Sequence, residues 1–447
     1  MSGRESAGGA ATAQDVRAAL KRTWVPFFAR FGRLTPIQLA VIPKVLTGES
    51  VVVAAPTASG KTEAVVAPLA ELLTAQQWTG LSVAYIVPTR ALANDTEQRI
   101  KGPLRELGIE VQIKHGDTPH VSTAKRPNWL ITTPESLDSL ICRQTQLLGD
   151  LRCIVLDELH LIDATYRGDQ VRALLARLKG VSREELRVYI LSATLADPAE
   201  LASRYADSFQ LAVVPGQRQI ERWFFSSEDA VYPFARQNGY RKLVWFCNSR
   251  RRVESVAQAL EKQWRPYPVV AHHGSLAKNL REGAERLMRE GRIAVCVATS
   301  TLEVGIDIGD IDLVVLDEPP PSVASLLQRI GRGNRRDAVT RVAAIAQSDD
   351  ERDGLKAMFD AAATGQLPAP TYRPDLSVAV QQIFSLLFQT PGGLSVSVFE
   401  QTLSCLCSGG EVQLILRHLE QTGWVEQRAT RWLAAEKLMD LALLRQL

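Results

Sequence analysis

Three features of the sequence predict an α/β fold: two tandem parallel-sheet domains followed by a small, mostly helical domain. Two long stretches alternate short, continuous apolar runs with amphipathic segments of helix length, and after residue 370 that alternation stops. Of the 447 residues, 46% are hydrophobic and 23% charged, ordinary globular values that exclude general disorder and a coiled coil. At roughly 150 residues per domain, this length holds about three domains.

Met1 to Ala10 has no apolar signal core, so residues 1–14 are expected to be a disordered tail. In the first domain, residues 15–213, the apolar runs are Val51–Ala54, Val83–Val87, Trp129–Thr132, Cys153–Leu156 and Val188–Leu191. Continuous runs of this kind are those of parallel strands covered on both faces. Residues 214–237, with Pro215, Gly216 and Pro233, change character and are read as a linker. The second domain, residues 238–370, repeats the pattern with Leu243–Phe246, Val269–Ala271, Ile293–Val297, Leu313–Leu316 and Val342–Ile345. Residues 371–447 carry three amphipathic segments, Ser377–Gln389, Ser395–Leu406 and Glu411–Gln421, then a hairpin from Gly423 to Leu433 turning near Ala429. Three helices and a hairpin is the order of a winged helix; a plain helical packing module has the same periodicity and stays open. In Glu411–Gln421, Arg417 and His418 are offset by Glu411 and Glu420, so this domain is expected to dock on the rest of the chain rather than read base sequence.

Lys and Arg number 52 and Asp and Glu 49, a net charge of +3. A histone-like protein is excluded, and a nucleic-acid partner has to be gripped by a local surface. No apolar run reaches the roughly 20 residues of a membrane helix. The six cysteines have no CxxC spacing, so buried thiols in a reducing, cytoplasmic setting are expected and a zinc or iron–sulfur site is not.

Ala55, Pro56, Thr57, Ala58, Ser59, Gly60, Lys61 and Thr62 follow an apolar run and open a helical segment. Backbone N–H groups at such a turn cradle a β-phosphate. Lys61 then neutralises β/γ oxygens and Thr62 ligates Mg²⁺, the cation of ATP. Ala55 stands where the strict phosphate-loop pattern has Gly. Downstream, Asp157 and Glu158 end the run Cys153–Leu156. Asp157 suits Mg²⁺ through its water shell, and Glu158 suits orienting and deprotonating the attacking water. Either motif alone has a bland reading, a chance turn or a solvated acidic cap; together they point to phosphoryl transfer.

In that order these residues resemble a superfamily 2 helicase of the DExH type, a family with two tandem RecA-like domains. Leu34 to Gln38 resembles its adenine-reading segment, with Gln38 pairing the base and Phe31 or Phe28 stacking on it. Three segments resemble those touching the nucleic-acid backbone: Pro88, Thr89 and Arg90; Gly116 to Thr118; and Thr133, Pro134 and Ser136. Ser192, Ala193 and Thr194 resemble the segment coupling hydrolysis to movement, and His160 a relay between the acidic pair and Gln328. The stretch Val297 to Asp307 implies Thr299 near nucleic acid and Gly305 and Asp307 near the nucleotide, and Gln328 to Arg335 implies Arg332 and Arg335 as γ-phosphate fingers. Asn334 departs from the Gly usual there. His272 and His273 are read as packing rather than a metal pair, since adjacent strand residues point to opposite faces.

Gly116 to Pro119, Ile131 to Leu137, Thr165 to Gly168, His272 to Leu276 and Leu302 to Gly309 are similar to the Lhr (large helicase-related) group. That group adds a winged helix to its two RecA-like domains, and larger members continue further, so this chain corresponds to a compact relative or an excerpt. The resemblance implies an ATP- and Mg²⁺-dependent helicase or translocase, 3′ to 5′ on single-stranded DNA, with RNA, a hybrid or a tailed duplex as alternative partners. Two further readings stay open: an ATP-gated nucleic-acid clamp without unwinding, and the motor subunit of a repair or defence complex.

Overall fold

The computed structural model describes residues 11–55, 59–122, 125–192, 197–214, 219–302, 308–333, 339–364 and 372–443. The first sheet has seven strands: β1 (Val51–Ala54), β2 (Val83–Ile86), β3 (Val111–Lys114), β4 (Trp129–Thr132), β5 (Cys153–Leu156), β6 (Arg187–Ser192) and β7 (Gln210–Val213). They pair in parallel in the order β3-β4-β2-β5-β6-β1-β7. Alternate residues of β1 enter different cores: Val51 and Val53 pack on one face of the sheet, Val52 on the other. All five expected runs are strands. Edge strands β3 and β7 were not legible as such, because each exposes part of its length to water and so breaks the apolar run.

The second sheet contains β8 (Gln219–Phe225), β9 (Lys242–Phe246), β10 (Val269–His272), β11 (Ala294–Ala298), β12 (Leu313–Leu316) and β13 (Val339–Ile345), all parallel in the order β10-β11-β9-β12-β13-β8. Here the expected linker is corrected. Within 214–237, β8 pairs with β13 from Gln219↔Val339 to Phe225↔Ile345, and helix Val231–Gln237 buries Val231 and Ala235 in the second core. The charged Glu221 and Arg222 on this edge strand hide it from an apolar-run reading. The tail also ends earlier than expected: helix Ala13–Ala19 is capped by Thr12 through a reciprocal box with Asp15 and buries Val16.

The third unit has helices Leu376–Gln389, Val396–Leu403 and Gly409–Gln421 and a small antiparallel sheet of β14 (Leu394–Ser395), β15 (Val425–Arg428) and β16 (Arg431–Ala434) in the order β14-β16-β15. Its hairpin turns at Ala429, whose φ is 53°.

Helix Leu376–Gln389 lies against helices Pro134–Arg143 and Tyr166–Val181 of the first domain. Between them runs a buried polar network. Arg177 Nη1 donates to Asp138 Oδ1 (2.7 Å), Gln382 Oε1 (2.9 Å) and Ser385 Oγ (2.8 Å), and Nη2 donates to Gln389 Oε1 (2.9 Å). Asp138 accepts in turn from Gln382 Nε2 (2.6 Å), Ser385 Oγ (2.6 Å) and Gln170 Nε2 (3.2 Å). Nearby, Asp169 accepts from the Tyr372 hydroxyl (2.7 Å) and Asp375 N (2.8 Å). Removing one partner of such a buried pair leaves the other charge uncompensated. Arg177→Ala and Asp138→Ala should each lower stability by roughly 3–5 kcal/mol. In urea unfolding the double variant should lose clearly less than the sum of the two.

Candidate nucleotide site and nucleic-acid groove

Sheet order decides what meets at the strand ends. β5, β6 and β1 are consecutive neighbours, so the acidic pair after β5, Ser192 at the end of β6 and the loop after β1 converge; Ala54 is in register with Ser192. Gly60 caps helix Lys61–Ala75 with φ +90°, and a Cβ there would lie 2.5 Å from Gln38 Nε2, so both conformation and space call for glycine. The Thr35 hydroxyl donates to Ser59 O (2.9 Å) and Lys61 Nζ to Ala55 O (2.7 Å), which holds the described ends of the loop. Gln38 Oε1 accepts from Thr35 N (2.9 Å) as part of its helix cap, beside the loop rather than turned away from it. The Phe31 ring is 58% exposed, with the Arg30 guanidinium 4.6 Å from its centre.

Asp157 and Glu158 are both buried. Asp157 Oδ2 accepts from the Tyr85 hydroxyl (2.7 Å) and Oδ1 from Glu158 N (2.9 Å). Glu158 takes a left-handed φ of 47°, a strained turn for a side-chain-bearing residue that ends the strand abruptly. Burial and then the charge of Glu158 push Asp157 up to about 6. Burial also opposes ionisation of Glu158, but the charge of Lys61, with those of Arg332 and Arg99, holds it below its ordinary value. Glu158 Oε2 is buried and accepts no hydrogen bond among the described residues.

The second domain reaches this centre. His160 Nε2 lies 2.5 Å from Gln328 Nε2, and Nδ1 lies 3.2 Å from Ser192 Oγ and 3.6 Å from Glu158 Oε2. Burial pushes His160 down to about 4, so the ring is neutral. An amide N–H from Gln328 fits an acceptor Nε2, which leaves the ring proton on Nδ1 toward Ser192 and Glu158. Arg332, two residues past helix Val323–Ile330, is buried and close enough for its charge to act on Glu158.

On the other half of the sheet, β3, β4 and β2 are consecutive, and their ends form an open cavity of about 460 Å³. It is lined by Pro88, Thr89, Arg90, Gly116, Thr133 and Ser136, so the three expected backbone-contact segments share one groove. Arg90 pairs with Asp117 (2.9 Å), and a Cβ on Gly116 would lie 2.4 Å from Arg90 Nη2. Pro134 starts the helix beneath, and Thr299 follows β11 in the second domain. Lys114, His115 and Arg167 also line the groove and were not picked out from sequence. Tyr85 was missed as well, since a tyrosine in an apolar run reads as core. His272 contacts Glu285 (3.0 Å) and Thr301 (2.9 Å), and His273 contacts Glu254 (3.3 Å). No cluster of three or more metal-ligating side chains occurs among the described residues. Pro56, Thr57, Ala58, Ala193, Thr194, Gly305, Asp307, Asn334 and Arg335 lie outside the described residues.

The Gln328 contact needs a neutral His160. An imidazole of ordinary pKa about 6.5 gains its proton as pH falls through that value, while buried His160 resists until about 4. Stability is therefore unaffected above pH 6.5 and lost between 6.5 and 4, by roughly 3 kcal/mol in all. Melting temperature followed over this range should fall more steeply for the parent than for His160→Asn.

The chain matches the DEAD/DEAH box helicase family over residues 35–201 and the helicase conserved C-terminal domain over residues 228–337. It is 31% identical over 363 residues to the ATP-dependent helicase Lhr-Core protein 2 of Thermococcus barophilus, covering 70% of this chain and 42% of that protein. It is 33% identical over 350 residues to the ATP-dependent helicase Lhr-Core of Methanocaldococcus jannaschii, covering 69% and 41%. The chain thus spans about two fifths of the length of these archaeal relatives. Its fold is similar, with a TM-score of 0.81, to Mycobacterium smegmatis helicase Lhr bound to ssDNA and AMP-PNP, at 24% identity over 95% of this chain and 61% of that one. S. cerevisiae Dbp5 bound to RNA and ADP BeF3 is similar at a TM-score of 0.65 and 19% identity, over 84% of this chain and 99% of that one. With two RecA-like parallel-sheet domains in tandem and both helicase families matched, the chain belongs to the superfamily 2 helicases and resembles their Lhr group.

Proposed function

We propose that this chain is an ATP-hydrolysing helicase or translocase that moves 3′ to 5′ along single-stranded DNA and unwinds duplexes ahead of it. The hydrogen bond from Gln328 to His160 carries this reading: a second-domain side chain bears on the residue beside the hydrolytic acid, so domain closure and site chemistry are one event. The names of the relatives, ATP-dependent helicases, and the AMP-PNP and ssDNA of the Mycobacterium smegmatis structure support it.

Lys61 neutralises the β/γ oxygens, and Gln38 and Phe31 hold the base. Glu158, with its unsatisfied Oε2, orients and deprotonates the attacking water. Arg332, and Arg335 by its place in the motif, stabilise charge developing on the γ-phosphate. The buried Thr62 hydroxyl and Asp157 carboxylate form a hard oxygen set that fits Mg²⁺, which when bound offsets phosphate charge. Ser192, Ala193 and Thr194 couple hydrolysis to movement, and by their place in the motif Gly305 is assigned to the nucleotide and Asp307 to its ribose. Thr89, Arg90, Gly116, Thr133 and Thr299 bind phosphates of one strand with mostly neutral donors, consistent with a net charge of only +3. Residues 371–447 form a winged helix that docks on the motor. No helix among the described residues is long and apolar enough to cross a membrane, and a cytoplasmic setting is part of the reading.

ATPase rates with single-stranded DNA, single-stranded RNA and a hybrid test the substrate, with DNA expected to stimulate most. Strand displacement is expected on 3′-tailed and not 5′-tailed duplexes; stimulation without displacement would mean a clamp. Lys61→Ala should abolish hydrolysis. Glu158→Gln should still bind ATP while turnover falls by roughly 10²-fold or more.

A further inference from the structure

β2 carries a hydroxyl into an otherwise apolar interior. Tyr85 is fully buried, its ring part of the first-domain core. A phenylalanine would supply that packing; a buried phenol must in addition find hydrogen-bond partners. Its partner belongs to the nucleotide site. The hydroxyl donates to Asp157 Oδ2 at 2.7 Å. With Glu158 N donating to Oδ1 at 2.9 Å, the Asp157 carboxylate is held at both oxygens and its plane is fixed. Burial and the Asp157 charge push the phenol well up, so it stays a protonated donor.

We propose that Tyr85 is a positioning residue for the divalent cation of ATP, holding the Asp157 carboxylate in one orientation through its phenol. This rests on the reading of Thr62 and Asp157 as the Mg²⁺ pair given above. Outer partners of metal-site ligands orient them and sustain their basicity. Without the phenol, the Asp157 carboxylate loses the partner of its Oδ2 and rotates about its own side-chain torsion.

The test uses the full chain and a fluorescent AMP-PNP analogue, titrated with Mg²⁺ at fixed nucleotide, so that no turnover is involved. Tyr85→Phe keeps the ring and removes only the hydroxyl. It should raise the Mg²⁺ midpoint about 10-fold, while nucleotide affinity without Mg²⁺ and the far-UV circular dichroism stay at parental values. Asp157→Asn is the reference and should raise the midpoint at least as much. A parental midpoint in Tyr85→Phe beside a raised one in Asp157→Asn overturns the role of Tyr85 alone. An equal loss of nucleotide affinity with and without Mg²⁺ in Tyr85→Phe also overturns it, as the mark of a general packing defect. Parental midpoints in both variants overturn the cation assignment itself.

Discussion

Two adjacent carboxylates buried at the end of one strand are the constraint around which this molecule is organised. Asp157 and Glu158 repel each other out of reach of bulk water, and ionised groups in that position persist only with compensation. Lys61 and the Tyr85 hydroxyl supply part of it from within the first domain. The rest comes across the cleft, where Arg332 adds positive charge and Gln328 holds His160. A first domain separated from the second therefore has a differently balanced acidic pair. That is the physical basis for making chemistry at the pair depend on domain arrangement.

Parallel topology divides labour along one sheet edge. All strands of the first sheet end on the same side; β5, β6 and β1 bring the acidic pair, Ser192 and the loop after β1 to one half of that side, and β3, β4 and β2 give the other half a groove. β2 takes part in both, since Tyr85 faces Asp157 and the chain runs on into Pro88, Thr89 and Arg90. The two halves share a rigid, hydrogen-bonded scaffold, and no long loop has to carry a signal between them.

Legibility followed the physics of burial. Ten apolar runs appeared in the sequence, nine of them central strands that, covered on both faces, have no polar alternation and one the edge strand β10, and the loop after β1 and the acidic pair stood out by their order along the chain. β3, β7 and β8 escaped because these partly wet edge strands carry polar residues, and β8 mixes Glu221 and Arg222 with aromatics, whereas edge strand β10 keeps an apolar run. Tyr85, Arg177 and Asp138 escaped for a different reason. Their importance lies in partners far away in sequence: Asp157 is 72 residues from Tyr85, and Gln382 is 205 from Arg177. Local pattern carries no trace of such pairings.

The interface of helix Leu376–Gln389 also bears on how the chain is made. Ribosomes deliver the first domain early, and domains generally fold in that order. Arg177 and Asp138 then wait while roughly 200 further residues are synthesised. Built from a guanidinium, carboxylates and amides rather than a broad apolar face, the waiting surface is hydrated and has little tendency to aggregate. When helix Leu376–Gln389 arrives, the same groups exchange water for Gln382, Ser385 and Gln389. The polar seam thus serves the nascent chain as a delayed closure, completed only once helix Leu376–Gln389 has followed both parallel-sheet domains off the ribosome.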